Sequence, residues 1–267
     1  MPAPEAKRQR TQPTYELLYH PSIPGRGEYI RLVLEAAGAP YSDVAKEKGD
    51  EGYARVLAAC SATSTGDADG NPPAFAPPAL RVPGAGRDGK ALVISQTPNI
   101  VQYLAAKLGL APADEADALH ANQHMLTALD LSNEAHDSHH PIAVSLYYED
   151  QKDAAKQRAN DFRETRIPKF FSYFERTLKG NEELGQGKYL VGDKLSHADT
   201  TLWQVVDGLF FAFPKELAAR KSEFPLLLEK FYAGIKEEKG LKEYLASDRR
   251  LKYSMGLYRH YPELDRE

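Results

Sequence analysis

Apolar residues come in short runs over the first hundred positions and recur at helical spacing thereafter, and this change of period divides the chain. Residues 15–19 predict a strand that ends at Pro21. Residues 21–27 hold two prolines and two glycines and predict a loop. Tyr29, Ile30, Leu32, Val33, Leu34 and Ala37 then give a helix with a wide apolar face, ended by Gly38 with Pro40 beyond. Residues 41–44 predict a second short strand, and the helical crossover between the two favours parallel pairing. Residues 46–76 carry no clear period and read as irregular, with 61–73 a long surface loop rich in Gly, Asp, Ser, Thr and Pro. Residues 77–82 lead into a third strand, 84–89 form a turn, and 91–94 return as a fourth. Thr97 suits a helix N-cap with Pro98 at the first helical position, followed by Ile100, Val101, Leu104, Ala105 and Leu108 on one face.

The order is therefore βαβ, loop, ββα over residues 15–109, the size of a small α/β domain. After a linker at 109–113, residues 114–267 predict an all-α domain with helices over 119–137, 151–178, 198–213 and 224–245. No internal repeat is present.

Composition narrows the classes of function. The chain has 267 residues, 42% hydrophobic and 27% charged, enough for two domains with real cores. Lys and Arg total 34 against 38 Asp and Glu, a net charge of −4 that gives no reason to expect nucleic acid as the main partner. Cys60 is the only cysteine, which excludes a disulfide within the chain and fits a reducing, cytoplasmic setting. No apolar run approaches the ~18 residues that cross a bilayer, so no membrane segment is expected. Residues 1–14 are polar and read as a disordered, solvated tail despite the basic cluster Lys7, Arg8 and Arg10.

Chemistry concentrates where the fourth strand meets a helix at Gln96 and Thr97. Free N–H groups and the helix dipole there favour an anion. Ser196, His197 and Asp199 imitate a triad by composition, but their spacing is that of a capping box and neighbours on one helical turn do not face each other. His120 and His124 stand at i, i+4, and His136, His139 and His140 lie close behind. With no His-Glu-x-x-His pattern, no metal is expected. Tyr147, Tyr148, Phe210, Phe211 and Phe213 line a pocket between domains or belong to the core. The amphiphilic tail 253–258 covers that pocket or packs on the first domain.

Three segments carry a resemblance to a known family. They are residues 15–19 with Gly25, Arg26, Gly27 and Glu28; Pro78, Ala79 and Leu80 with residues 95–104; and residues 189–199 leading into a helix. In this order and spacing the chain resembles the cytosolic glutathione transferases of the tyrosine type (sigma, mu and alpha-like). The resemblance implies a thioredoxin-like N-terminal domain that binds glutathione, joined to an all-α C-terminal helical domain. It also implies a homodimer and a role in detoxification.

In residue terms it implies that Gln96 and Thr97 take the γ-glutamyl carboxylate, while a cis Pro78 lets the backbone before it pair with the peptide. Pro77 occupies that preceding position and has no N–H, so only its carbonyl is available. Tyr19 is the candidate thiol activator and Arg26 the neighbouring cation. A phenol hydrogen bond favours the thiolate, whose free pKa is near ~8.5. Ser22 is the alternative donor, because the loop after Tyr19 is about one residue longer than in sigma-like members; His20 is a lesser candidate. Tyr53 and Arg55 are candidates for the glycine carboxylate and Asp130 for the ligand amine across a dimer interface. The expected activity is addition of the glutathione thiol to a hydrophobic electrophile. A non-catalytic binding protein of the same fold and a glutathione-dependent isomerase or peroxidase are the alternatives.

Overall fold

The computed structural model describes residues 15–267. The expectations placed on residues 1–14 lie outside the described residues. Strand β1 (Tyr15–Leu18), helix α1 (Gly27–Ala36) and strand β2 (Tyr41–Asp43) form the expected βαβ unit, with β1 and β2 parallel. Strand β3 (Ala79–Val82) runs antiparallel to β1, and β4 (Leu92–Ser95) antiparallel to β3, giving the order β2-β1-β3-β4. Strand alternation sets the two faces. Tyr15 and Leu17 turn towards α1 and α3 (Thr97–Leu108), whereas Leu18 meets Val44, Ala45 and Val56 on the other side.

That second face is covered by a helix where irregular chain was expected. Helix α2 (Val44–Ala59) is broken at Gly49, whose φ of 57° lies in the left-handed region. The break leaves two short pieces, and only Val44, Ala45, Gly52 and Val56 are buried, so no apolar period accumulates along the sequence. The loop that follows is a loop as read, and Asn71 ties it to the sheet. Its side-chain amide donates to the Ala91 carbonyl at 2.9 Å and accepts from the Val93 N–H at 2.9 Å.

The C-terminal half is helical as expected: α4 (Glu115–Asp137), α5 (Lys152–Asp161), α6 (Ile167–Glu183), α7 (His197–Ala212), α8 (Pro214–Arg220), α9 (Tyr232–Lys236) and α10 (Lys239–Leu245). Helices α5 and α6 join through a wide π turn at Phe162–Arg166. Pro168 lies two residues beyond it and cannot donate back to the preceding turn, which accounts for the widening there. Helix α7 is buried along nearly its whole length. Its start is the capping box read from the sequence: the Asp199 carboxylate accepts from the Ser196 N–H at 2.8 Å, the Ser196 hydroxyl at 2.7 Å and the Leu190 N–H at 2.8 Å. His197 turns away from this group towards the Leu110 carbonyl, which removes any triad.

The two halves are joined by buried charge. Glu28 of α1 is fully buried, 3.0 Å from Arg31, and accepts from the Tyr244 hydroxyl at 2.7 Å and from Arg250. Arg250 also meets Asp207 of α7 at 2.9 Å. Burial alone would raise the Glu28 pKa, but Arg250, Arg31 and Tyr244 outweigh it and hold the carboxyl below its usual range.

Candidate functional site

Strand register brings three chain segments to one end of the sheet. Leu18 pairs with Ala79, and Ala79 pairs with Ser95. The next residue out on each strand is therefore Tyr19, Pro78 and Gln96. The Pro77–Pro78 peptide bond is cis, and Pro78 is buried against the sheet.

Tyr19 leaves β1 and lays its ring across the start of α1. Its phenolic oxygen accepts the Arg26 backbone N–H at 2.8 Å. Glycine is required on both sides of that contact. A Cβ at Gly25 would lie 2.2 Å from the Tyr19 hydroxyl oxygen, and one at Gly27 would lie 2.5 Å from its Cδ1. Burial pushes the Tyr19 phenol above its usual pKa, outweighing the Arg26 N–H and the Arg26 and Arg31 charges. The hydroxyl thus keeps its proton at neutral pH, and no acceptor for it is found among the described residues.

The start of α3 differs from the sequence reading in one respect. Gln96, not Thr97, holds the N-cap position, with φ 71° and no side-chain capping bond. A non-glycine residue at positive φ is uncommon and marks a position held by its surroundings. Thr97 is the first helical residue and is 5% exposed, and its Oγ1 has no hydrogen-bond partner. A buried hydroxyl without a partner costs free energy. Here it stands at a helix N-terminus, where unpaired N–H groups also gather.

Arg26, Tyr29, Gln96, Thr97, Asp130 and Asn133 share one cleft of about 280 Å³. Arg26 is fixed by a 3.1 Å bond from its guanidinium to Asn133 Oδ1 on α4, and Glu28 pairs with Arg31 and Arg250 instead of with Arg26. Sequence reading passed over Asn133. Its only signal was its place one helical turn beyond Asp130. The cleft back wall is a hydroxyl cluster: Tyr29 donates to Ser132 at 2.8 Å and lies 2.9 Å from the hydroxyl of Tyr258.

Other predicted residues fall outside the cleft. Ser22 is exposed on the loop after Tyr19. Tyr53 meets His20 Nδ1 at 3.4 Å, and the His20 ring packs edge-on to Tyr19 at 5.0 Å, so both stay near the strand end. Arg55 does not join them: it pairs with Glu16 at 2.9 Å on the α2 side of the sheet, where Arg81 shares the same carboxylate at 2.8 Å. Of the aromatic candidates, Phe213 packs against Phe162, Phe211 on Tyr253 and Tyr148 on Tyr261, whereas Tyr147 is 77% exposed. The tail packs on the first domain through Tyr258. His124 bonds to Tyr173, and among the described residues no three His, Cys, Asp or Glu side chains are grouped to hold a metal ion.

A family profile described as "Glutathione S-transferase, C-terminal domain" matches residues 136–248. The chain is 30% identical over 212 residues to human Glutathione S-transferase A4, covering 79% of this chain and 80% of that protein. It is 25% identical over 213 residues to a Glutathione S-transferase of Plasmodium falciparum, covering 79% and 86% respectively. In structure it is similar to prostaglandin synthase D of Nilaparvata lugens, with TM-score 0.62 and 20% identity over 88% of this chain and 98% of that one. The chain belongs to the cytosolic glutathione transferase family. Its fold is the thioredoxin-like domain plus helical domain of that family, whose members use glutathione as substrate. No described helix is long and apolar enough to cross a membrane.

Proposed function

We propose that this protein is a glutathione transferase that activates the glutathione thiol for addition to hydrophobic electrophiles. The observation that carries the reading is the partnerless Thr97 hydroxyl, set at the α3 N-terminus in a cleft with Gln96, Arg26 and Asp130. A γ-glutamyl carboxylate supplies the acceptor that Thr97 lacks, and the helix start favours its charge. Asp130 on the far wall suits the ligand amine. The Pro77 carbonyl offers one backbone bond to the peptide; the second bond usual in the family needs an N–H that Pro77 does not have.

Tyr19 then acts on sulfur. Its oxygen already accepts from Arg26, so its free proton is available to the thiolate, and the α1 N-terminus and Arg26 favour the negative charge. Lowering the thiol pKa by about two units takes roughly 2.7 kcal/mol, within reach of one charge-assisted bond plus a nearby cation. Positioning of both substrates supplies most of the remaining rate. A homodimer, placing Asp130 beside a second copy, and a cytoplasmic detoxifying role complete the reading.

Calorimetry and thiol titration test it. Glutathione should bind at millimolar concentration or below, and wild type should conjugate a chlorodinitroarene. Tyr19→Phe should keep binding within about threefold while the bound thiol pKa rises by at least about one unit, the loss of one hydrogen bond to a charge. An unchanged thiol pKa removes Tyr19 from the mechanism. A second reading, a binding protein of this fold without catalysis, draws on the 5% exposure of Tyr19 and on the missing Pro77 donor. Glutathione binding with no conjugation of any electrophile would favour it.

A further inference from the structure

Where α4 ends, three imidazoles pack on one another outside the cleft. Ring centroids of His136 lie 5.1 Å from those of His139 and of His140, and His139 lies 4.8 Å from His140. His139 is 1% exposed. Its Nε2 meets the Leu257 carbonyl at 3.2 Å, an acceptor that fixes the proton of the neutral ring on Nε2. Its Nδ1 is buried with no partner. His140 presents Nδ1 to the Gln151 amide, which donates to it at 3.2 Å. The Gln151 bond holds only while the His140 ring is neutral, whereas the Leu257 bond survives protonation of His139, and what opposes that protonation is the burial of its partnerless Nδ1.

The charges around the group oppose protonation. The charge of Arg259 on the tail acts on all three rings and that of Arg26, which caps α1, on His136, whereas Asp137, 3.2 Å from His136 Nδ1, is the one carboxylate bonded to the group among the described residues. Neighbouring groups are spoken for. Glu134 pairs with Arg166; Glu263 accepts from Tyr148, with Lys152 over that ring; and His260 meets the Ala212 carbonyl.

What the group holds is the C-terminal segment. Leu257 is bonded to His139, Tyr258 reaches Tyr29 and Ser132, and Tyr261 stacks on Tyr148 at 3.7 Å and leans on His139. We propose that His136, His139 and His140 form a pH-sensitive latch that docks residues 255–261 when neutral and releases them when protonated. A second proton on His139 goes to Nδ1, a buried position with no acceptor, beside two more imidazoles and Arg259.

The direction follows from burial. Burial takes His139 down to about 3 and lowers His136 and His140 as well, so the released segment binds more protons than the docked one. Docking is therefore strongest above the ordinary histidine pKa of about 6.5 and weakens as pH falls below it. Release withdraws Tyr258 from Tyr29 and Ser132, two residues that line the glutathione cleft, and so loosens its back wall.

The test is amide hydrogen exchange on the full chain at pH 7.5, 6.5 and 5.0, normalised for intrinsic exchange rates. Opening of residues 255–261 should increase at least about tenfold between pH 6.5 and 5, since each fully shifted histidine contributes about tenfold per pH unit, while the middle of α7 keeps its protection. His139→Gln retains a donor for Leu257 and should flatten the response. Arg259→Gln removes the opposing cation and should move release to lower pH. Constant tail protection from pH 7.5 to 5.0 overturns the latch. So does an Arg259→Gln curve that superimposes on wild type, which also decides the matter if His139→Gln fails to dock at any pH.

Discussion

Thr97 separates binding from folding at the scale of one side chain. Its hydroxyl is buried without a partner, so in the free protein it destabilises. Thr97→Val replaces it with a methyl of the same shape. Thermal stability should stay level or rise, while glutathione affinity falls about tenfold, the loss of one hydrogen bond to a charged group. Melting curves and calorimetry on the same preparation check both halves; equal losses in stability and affinity would assign Thr97 to the fold alone. Asn133 offers a finer test, because it touches Arg26 and not Tyr19. Asn133→Ala should leave melting unchanged and lower kcat/KM by a few-fold, through a less fixed guanidinium, at about 1 kcal/mol for one neutral-acceptor bond.

Elements decide where those side chains stand. Helix α1 approaches β1 closely enough that Gly27 faces the Tyr19 ring, and alanine there has no room. Gly27→Ala should cost about 1–3 kcal/mol by overpacking and raise the bound thiol pKa as the ring shifts, read by denaturant unfolding and thiol titration. Asp199→Ala strips three donors of their acceptor at the α7 start and should cost about 3 kcal/mol, with unfolding as the readout. Both contacts were half legible in the sequence. The capping box is local, so Ser196 and Asp199 announce it by spacing alone. The pairing of Gly25 and Gly27 with Tyr19 depends on register between a strand and the helix after it, and sequence gave only the glycines of a loop. Helix α2 escaped because Gly49 interrupts it and its buried face is small. Gln96 and Thr97 are legible as the junction of a strand with a helix start, yet which of them caps the helix depends on the unusual Gln96 backbone. Arg55 pairs with Glu16 on the side of the sheet that α2 covers, a placement that no apolar period along the chain announces.

Across the whole molecule, the halves share one hydrophobic core with a buried ion network set inside it. Arg250→Met leaves Glu28 with one fewer cation in a fully buried site and should cost about 3 kcal/mol in denaturant unfolding. The depressed Glu28 pKa sets the acid limb: its stabilisation is present above the ordinary carboxylate pKa and is lost as pH falls below it, so wild type should lose more stability between about pH 5 and 3 than Arg250→Met does. One last consequence concerns contacts between molecules. Strand β4 is one of the two edge strands of the sheet, with β2 the other, and an edge strand offers its amides to any extended chain that drifts past. The carboxamide of Asn71 occupies the Ala91 and Val93 positions a foreign strand would use. The long loop therefore acts as a plug against sheet-to-sheet joining, and Asn71→Ala should leave the monomer fold intact while light scattering reveals a concentration-dependent tendency to aggregate.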